Sequence, residues 1–225
     1  MVAYGTVDDL MLRLEAEAIL TPERRVMYAE ILDAISRKID AFCRRPDGFV
    51  ATAPTERLFL GSGESFQKIP ECTSISSVAV KPNPVVKDYV LWKAPSTPWA
   101  GDGDWIPVAG TPSRPIFYRI PYNMIIADPN GAYARFTFSH SGRYPTVKIV
   151  ATWGASDTVP PPIREATLAE ALILIKRYQG GMDSGLSSPE LGVIAMRVRQ
   201  SSLSKDVQDL LVNGGWVLPL YAGEY

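Results

Sequence analysis

Two rhythms of apolar positions divide the chain. Near the N-terminus the spacing is helical: Thr6-Val7-Asp8-Asp9 forms a T-x-x-D start that predicts a short helix to about Glu17. Thr21-Pro22-Glu23 is a second start signal, after which Tyr28, Ile31, Leu32, Ile35, Ile39 and Phe42 recur at helical spacing until Arg45-Pro46-Asp47-Gly48 stops them. That spacing predicts an amphipathic helix of about six turns, with Arg44 and Arg45 as solvated charge complementing its C-terminal dipole. From Phe49 the rhythm changes to short β-like runs among frequent prolines: Thr55–Leu60, Ser77–Val80, Tyr89–Trp92, Ile116–Ile120, Ala134–Phe138 and Thr146–Val150. Val147, Ile149 and Ala151 alternate with Lys148, Val150 and Thr152 in what reads as the last strand, ending at a Trp153-Gly154 turn.

The helical rhythm then returns. Thr158 is a candidate N-cap, and the prolines at 160 to 162 lack N–H groups that a first helical turn leaves unpaired, so a helix is predicted from Pro161 or Pro162. Ala166, Ala169, Leu172, Ile173 and Ile175 make its apolar stripe, with Arg164, Glu165, Glu170, Lys176 and Arg177 on a polar edge. Gly180-Gly181, Ser184-Gly185 and Ser187-Ser188-Pro189 read as a flexible or tightly turned connector, and Leu191–Gln200 as strand or extended arm. Ser204 caps a last short helix in which Val207, Leu210 and Leu211 share a face, ended by Gly214-Gly215. The fold class expected is α+β, a helical bundle of about four helices with a large all-β insertion between the second and third main helices. The divisions are 1–48 and 153–212 for the two halves of the helical part, 49–152 for the β-rich insertion, and 213–225 for an extended C-terminal arm.

Three segments carry a family resemblance. The strand ending at Trp153-Gly154 and feeding VPPPIREA, the order helix, helix, β block, helix with its RLFLGSGESFQKIPECTSISSVAV opening, and the terminal SLSKDVQDLL resemble the head-to-tail connector (adaptor) proteins of long-tailed bacteriophages. Residues 81–145 lie outside that resemblance. It implies a structural virion protein of the siphovirus-like neck, repeated as a ring, commonly of twelve subunits, beneath the portal and around the DNA exit channel. The partners implied are the portal protein, neighbouring copies of the chain, and a tail-proximal stopper or neck protein. No catalysis and no cofactor are implied. The place implied is the head-tail junction of a virion assembled in the host cytoplasm.

Composition is permissive of this. A chain of 225 residues buries roughly 70% of its unfolded surface in a real core. Its net charge of -1, with 21% charged residues, offers no basic excess for gripping DNA, as suits a channel through which DNA passes without specific binding. No apolar run is long enough for a membrane span and the first ten residues do not resemble a secretory signal, so synthesis in the cytosol is expected. Without a heptad repeat, the free protein is expected to be a monomer or weak oligomer whose ring closes only on the portal, with the β insertion projecting outward.

The search for chemistry favours none. Cys43 and Cys72 lack zinc or disulfide spacing and read as idle thiols. His140 has no second ligand nearby and reads as a turn residue, and no G-x-S-x-G elbow supports a nucleophilic serine. Gly61-Ser62-Gly63 lacks the G-K-[ST] of a phosphate loop and reads as a hairpin turn. Gly101-Asp102-Gly103-Asp104 lacks the closing Glu of a calcium loop. Trp92, Trp99, Trp105, Tyr118 and Tyr122 suit a β core or protein interface; as a sugar platform they define the alternative reading, a β-domain module binding carbohydrate or a virion protein on a helical anchor.

The arm NGGWVLPLYAGEY supplies the candidate site. Trp216, Val217, Leu218, Leu220, Tyr221 and Tyr225 are costly to leave in water, Pro219 disfavours a helix, and aromatic residues dominate interface energetics. They are expected to dock on the portal or a neighbouring subunit, with Trp216 and Tyr221 as anchors, so that deleting residues 214–225 leaves the thermal midpoint nearly unchanged. The alternative is that the tail folds back on its own subunit.

Overall fold

The computed structural model describes residues 3–14, 21–97, 100–117, 119–139, 144–182 and 202–218, with side chains described only to 176 in the third helix. Within these the chain is a mixed α+β protein of four helices and a seven-stranded antiparallel sheet. It divides into two compact units: residues 1–48 with 159–225, and Phe49–Thr158.

The first unit holds all four helices. Helix α1 spans Val7–Leu14, and its start is a reciprocal capping box: the Asp9 amide donates to Thr6 Oγ1 at 3.1 Å while the Thr6 amide and hydroxyl donate to Asp9 Oδ2 at 3.2 and 2.7 Å. Helix α2, Pro22–Cys43, is capped by Thr21, whose hydroxyl accepts from the Arg24 amide. Ile31, Leu32, Ile35 and Ile39 form its buried stripe, while Phe42 is only half-buried. Helix α3, Pro161–Met182, begins where the prolines place it, but the first amides it satisfies are those of Ile163 and Arg164, on the Pro160 carbonyl. Thr158 therefore does not cap it. The helix also continues through Gly180-Gly181, where a connector was expected; glycine lowers helix propensity without forbidding the turn. Glu170, expected on the polar edge, is buried and accepts the Ser204 amide at 3.0 Å. Helix α4, Lys205–Asn213, follows an N-cap Ser204 whose side chain makes no capping bond. It buries Val207 and Leu211 on α3 but leaves Leu210 exposed. The segment Leu191–Gln200 lies outside the described residues.

The second unit is the sheet. Strands β1 (Thr55–Phe59), β2 (Phe66–Val80), β3 (Val90–Leu91), β4 (Trp105–Thr111), β5 (Arg114–Ile116), β6 (Tyr122–Ala127) and β7 (Val147–Trp153) run in the spatial order β1-β7-β2-β6-β4-β5, with β3 on β2. The N-terminal part of β2 pairs with β6 and its C-terminal part with β7, in register Phe66↔Ile126 and Val80↔Val147. Register shifts on both sides of Cys72 admit Pro70, which has no N–H to give a ladder. Pro107 is likewise tolerated: over Trp105–Val108 strand β4 is paired only with β6, and β5 joins it from Ala109 onward.

Three expectations change here. Ala134–Phe138 forms no strand, although Phe136 turns inward and its amide donates to Glu64 O at 2.9 Å. Ile116–Ile120 is not one strand: β5 ends at Ile116, Phe117 lies in a turn, and a cis Ile120–Pro121 bond precedes β6. Gly61-Ser62-Gly63 turns the chain without making a hairpin, because β7 lies between β1 and β2. Gly61 is obligatory there, since a Cβ would lie 1.9 Å from Thr137 O. The core gathers Cys72, Val78, Trp92, Trp105, Ile125, Phe136, Ile149 and Trp153. Trp92 stacks on Tyr133 with ring centroids 5.1 Å apart.

Candidate partner interface

Helix α2 ends because Arg44 takes the left-handed conformation, φ 59° and ψ 40°, with its amide on the Ala41 and Asp40 carbonyls. The Arg45 amide bonds Asp40 O at 2.9 Å, and Gly48, at φ 78°, brings the backbone so close to the Tyr4 hydroxyl that a Cβ would stand 2.7 Å from it. Below this turn the Tyr4 hydroxyl donates to Asp40 Oδ1, and Arg37 Nη1 lies 2.7 Å from Asp40 Oδ2. Burial pushes the Asp40 carboxyl above its ordinary range, against the opposite pull of Tyr4 and Arg37.

The C-terminal arm returns to this helix end. Gly214 closes α4 on the Leu210 carbonyl, and Gly215, at φ 70°, reverses the chain so that the Trp216 amide reaches Leu211 O at 3.0 Å. Three bonds then join the arm to the end of α2. Arg45 Nε donates to Trp216 O at 3.3 Å, the Leu218 amide to Cys43 O at 3.1 Å, and Arg44 Nη1 to Leu218 O at 2.7 Å. Arg45 was expected to be solvated. It is instead 8% exposed, and burial draws its guanidinium below the ordinary value.

The six residues proposed from the sequence thus fall into two sets. Trp216, Val217 and Leu218 are half-buried against the chain's own helical unit, as in the alternative of a tail folded back on its subunit, while Leu220, Tyr221 and Tyr225 lie outside the described residues. The signal for this docking is present in the sequence only as the basic pair that ends α2; nothing in the linear pattern joins it to a tripeptide more than 170 positions away. Chemically the arrangement is a holder of extended backbone, presenting helix carbonyls to an arm amide and guanidinium groups to arm carbonyls.

Elsewhere the candidate sites resolve into structure. Asp104 accepts the amides of Lys93 and Ala132 at 2.7 and 2.8 Å, and Asp102 accepts that of Ser96 at 2.9 Å, so these carboxylates order loops. Among the described residues no three His, Cys, Asp or Glu side chains are grouped to hold a metal ion, and no helix is long and apolar enough to cross a membrane. Trp92, Trp105 and Tyr122 are buried, and Trp92 is covered by Tyr133 and Phe136, which leaves none of the three as an open stacking face. Trp99, Tyr118 and His140 lie outside the described residues. Two clefts of about 300 and 320 Å³ flank the Trp92–Tyr133 pair. Asp104, which lines the first together with Ser76, Ser77 and Lys93, already has both carboxylate oxygens engaged.

No known protein family, curated protein or solved structure matches the chain.

Proposed function

We propose that this chain is a head-to-tail connector of a long-tailed phage, forming a ring, commonly of twelve copies, beneath the portal and around the DNA exit channel. The observation that carries the reading is the way the chain is threaded. A helical unit is interrupted after its second helix by a β unit and resumed by a third helix at Pro161, the order in which the resembled connectors are built. The first and last strands of the β unit are neighbours, with Thr55 opposite Ala151, so its two ends emerge together as an insertion requires. In this reading the helical unit is the bundle that contacts the portal and neighbouring copies. The near-neutral charge lets DNA pass without being held. Trp216–Leu218 then anchor the arm at home and leave Leu220, Tyr221 and Tyr225 for the portal or an adjacent subunit. A stopper or neck protein completes the tail-proximal side.

The test is co-expression with the portal protein encoded in the same genome. Native mass spectrometry and electron microscopy should find a second ring of this chain, twelve copies on a twelvefold portal, whereas light scattering of the chain alone at micromolar concentration should report a monomer or small oligomer. A chain that never co-purifies with the portal overturns the assignment.

A further inference from the structure

The end of α2 contains a choice of residue that helix termination does not explain. Among the described residues Arg44 is the one non-glycine at positive φ, in the position where glycine ordinarily ends a helix without a Cβ penalty. Its backbone bonds, to Ala41 O and Asp40 O, would be made equally well by glycine. Its side chain is exposed and fills no core. What arginine adds is the 2.7 Å bond from Nη1 to the Leu218 carbonyl. With the Leu218 amide on Cys43 O, both polar groups of that one residue are held from the same helix end, which sets its direction as well as its place. Pro219 follows in the sequence, and a residue before proline is restricted to extended conformations, which narrows the backbone at Leu218 further.

We propose that Arg44 is a positioning residue for the C-terminal arm, its left-handed backbone and its guanidinium together fixing the place and direction of Leu218 for engagement of the portal. This rests on the connector reading for the identity of the partner, but the clamp itself is a property of the isolated chain. Arg45, bonded to Trp216 O, secures the arm one step earlier.

The experiment compares the full-length protein with Arg44→Gly, Arg44→Asn and Arg44→Lys. Amide hydrogen exchange at Leu218, the thermal midpoint, and binding to the purified portal ring from the same genome are each measured. Glycine and asparagine tolerate the left-handed cap but cannot reach Leu218. Both should speed Leu218 exchange at least tenfold, leave the midpoint unchanged or raised, and weaken portal binding at least fivefold. Lysine, which reaches with a single charged donor, should recover part of both losses. Unchanged exchange in Arg44→Gly and Arg44→Asn sinks the clamp, whatever the binding. Faster exchange with full portal binding sinks the positioning role. If the wild-type chain itself fails to bind while its Leu218 amide is protected by Arg44, the connector reading has failed and the positioning role falls with it.

Discussion

Asp9 ties the start of α1 to the start of α3. It closes the α1 capping box with Thr6 and also receives Arg164 from the first turn of α3, and these partners hold its carboxyl down to about 2, Arg164 contributing most. Because this value lies below the ordinary 3.8, the stability Asp9 supplies is fully present above about pH 4 and is lost as pH falls through 2. Asp9→Asn should therefore destabilise the protein by about 1 kcal/mol at neutral pH in urea titrations, the scale of a lost cap. The gap from wild type should close as the titration is repeated toward pH 2. A gap that persists there means that shape, not charge, is what Asn lacks. The two thiols behave in the opposite sense. Burial pushes Cys43 up to about 11 and Cys72 up to about 12, so neither forms thiolate near neutrality. Both are free and buried, and a disulfide-exchange reagent at pH 8 should label neither in the native protein and both in denaturant. Rapid labelling of one thiol in the folded state contradicts the packing around it.

At the scale of elements, the helices were legible because their signals are local. Thr6 with Asp9, Thr21 with Pro22, and the prolines before Ile163 announce each start within four residues, and apolar spacing does the rest. The sheet was legible only in part. Strands β4 and β6 carry weak local signals, because Pro107 and Gly110 argue against a strand and Met124, Ile125 and Ile126 follow one another without alternation; both exist because long-range pairing with each other overrides propensity. Of strand β2 only the last four residues carry a strand pattern in the sequence, since the bulges that accommodate Pro70 are a tertiary fact. The arm shows the same limit. Its apolar residues were visible, but its acceptor, the Cys43 carbonyl, exists only once Arg44 has ended the helix. The expectation that the arm can be removed without cost therefore changes. Ending the chain after Asn213 strips the contacts of three half-buried apolar residues and three bonds from the end of α2, which should cost about 2–4 kcal/mol. Ending it after Leu218 keeps those contacts and bonds and should spare that cost. Calorimetry on the two truncations decides the matter, and equal midpoints would show that residues 216–218 hold nothing in place.

For the whole molecule the question is whether the two units are separable. The β unit carries its own core, in which Trp153, Phe136, Ile125 and Ile149 are almost wholly buried among residues of the same unit. Its ends are tied to each other: Val50 bridges Ser156, the Ala51 amide reaches Ser156 O at 2.7 Å, and the Ser156 amide reaches Phe49 O at 2.9 Å. These bonds close the unit before the chain passes back to the helices. The helical unit has a core of its own in Leu10, Leu32, Ile35, Ile163, Leu168 and Leu211, drawn from both of its sequence halves. Because partner strands at the mouth of the β unit lie about 5 Å apart, a linker of a few glycines and serines spans the gap left by removing it. Replacing residues 49–158 by such a linker should leave a protein with the full helical signal at 222 nm and a cooperative thermal transition, and residues 49–158 expressed alone should melt cooperatively as a β protein. A domain of about 110 residues is large enough to fold by itself, as is a four-helix remainder of similar size. Loss of the helical signal on excision, with the β fragment still folded, would mean that the sheet is a scaffold on which the helices depend, and the description of the chain as one unit carried by another would have to be reversed.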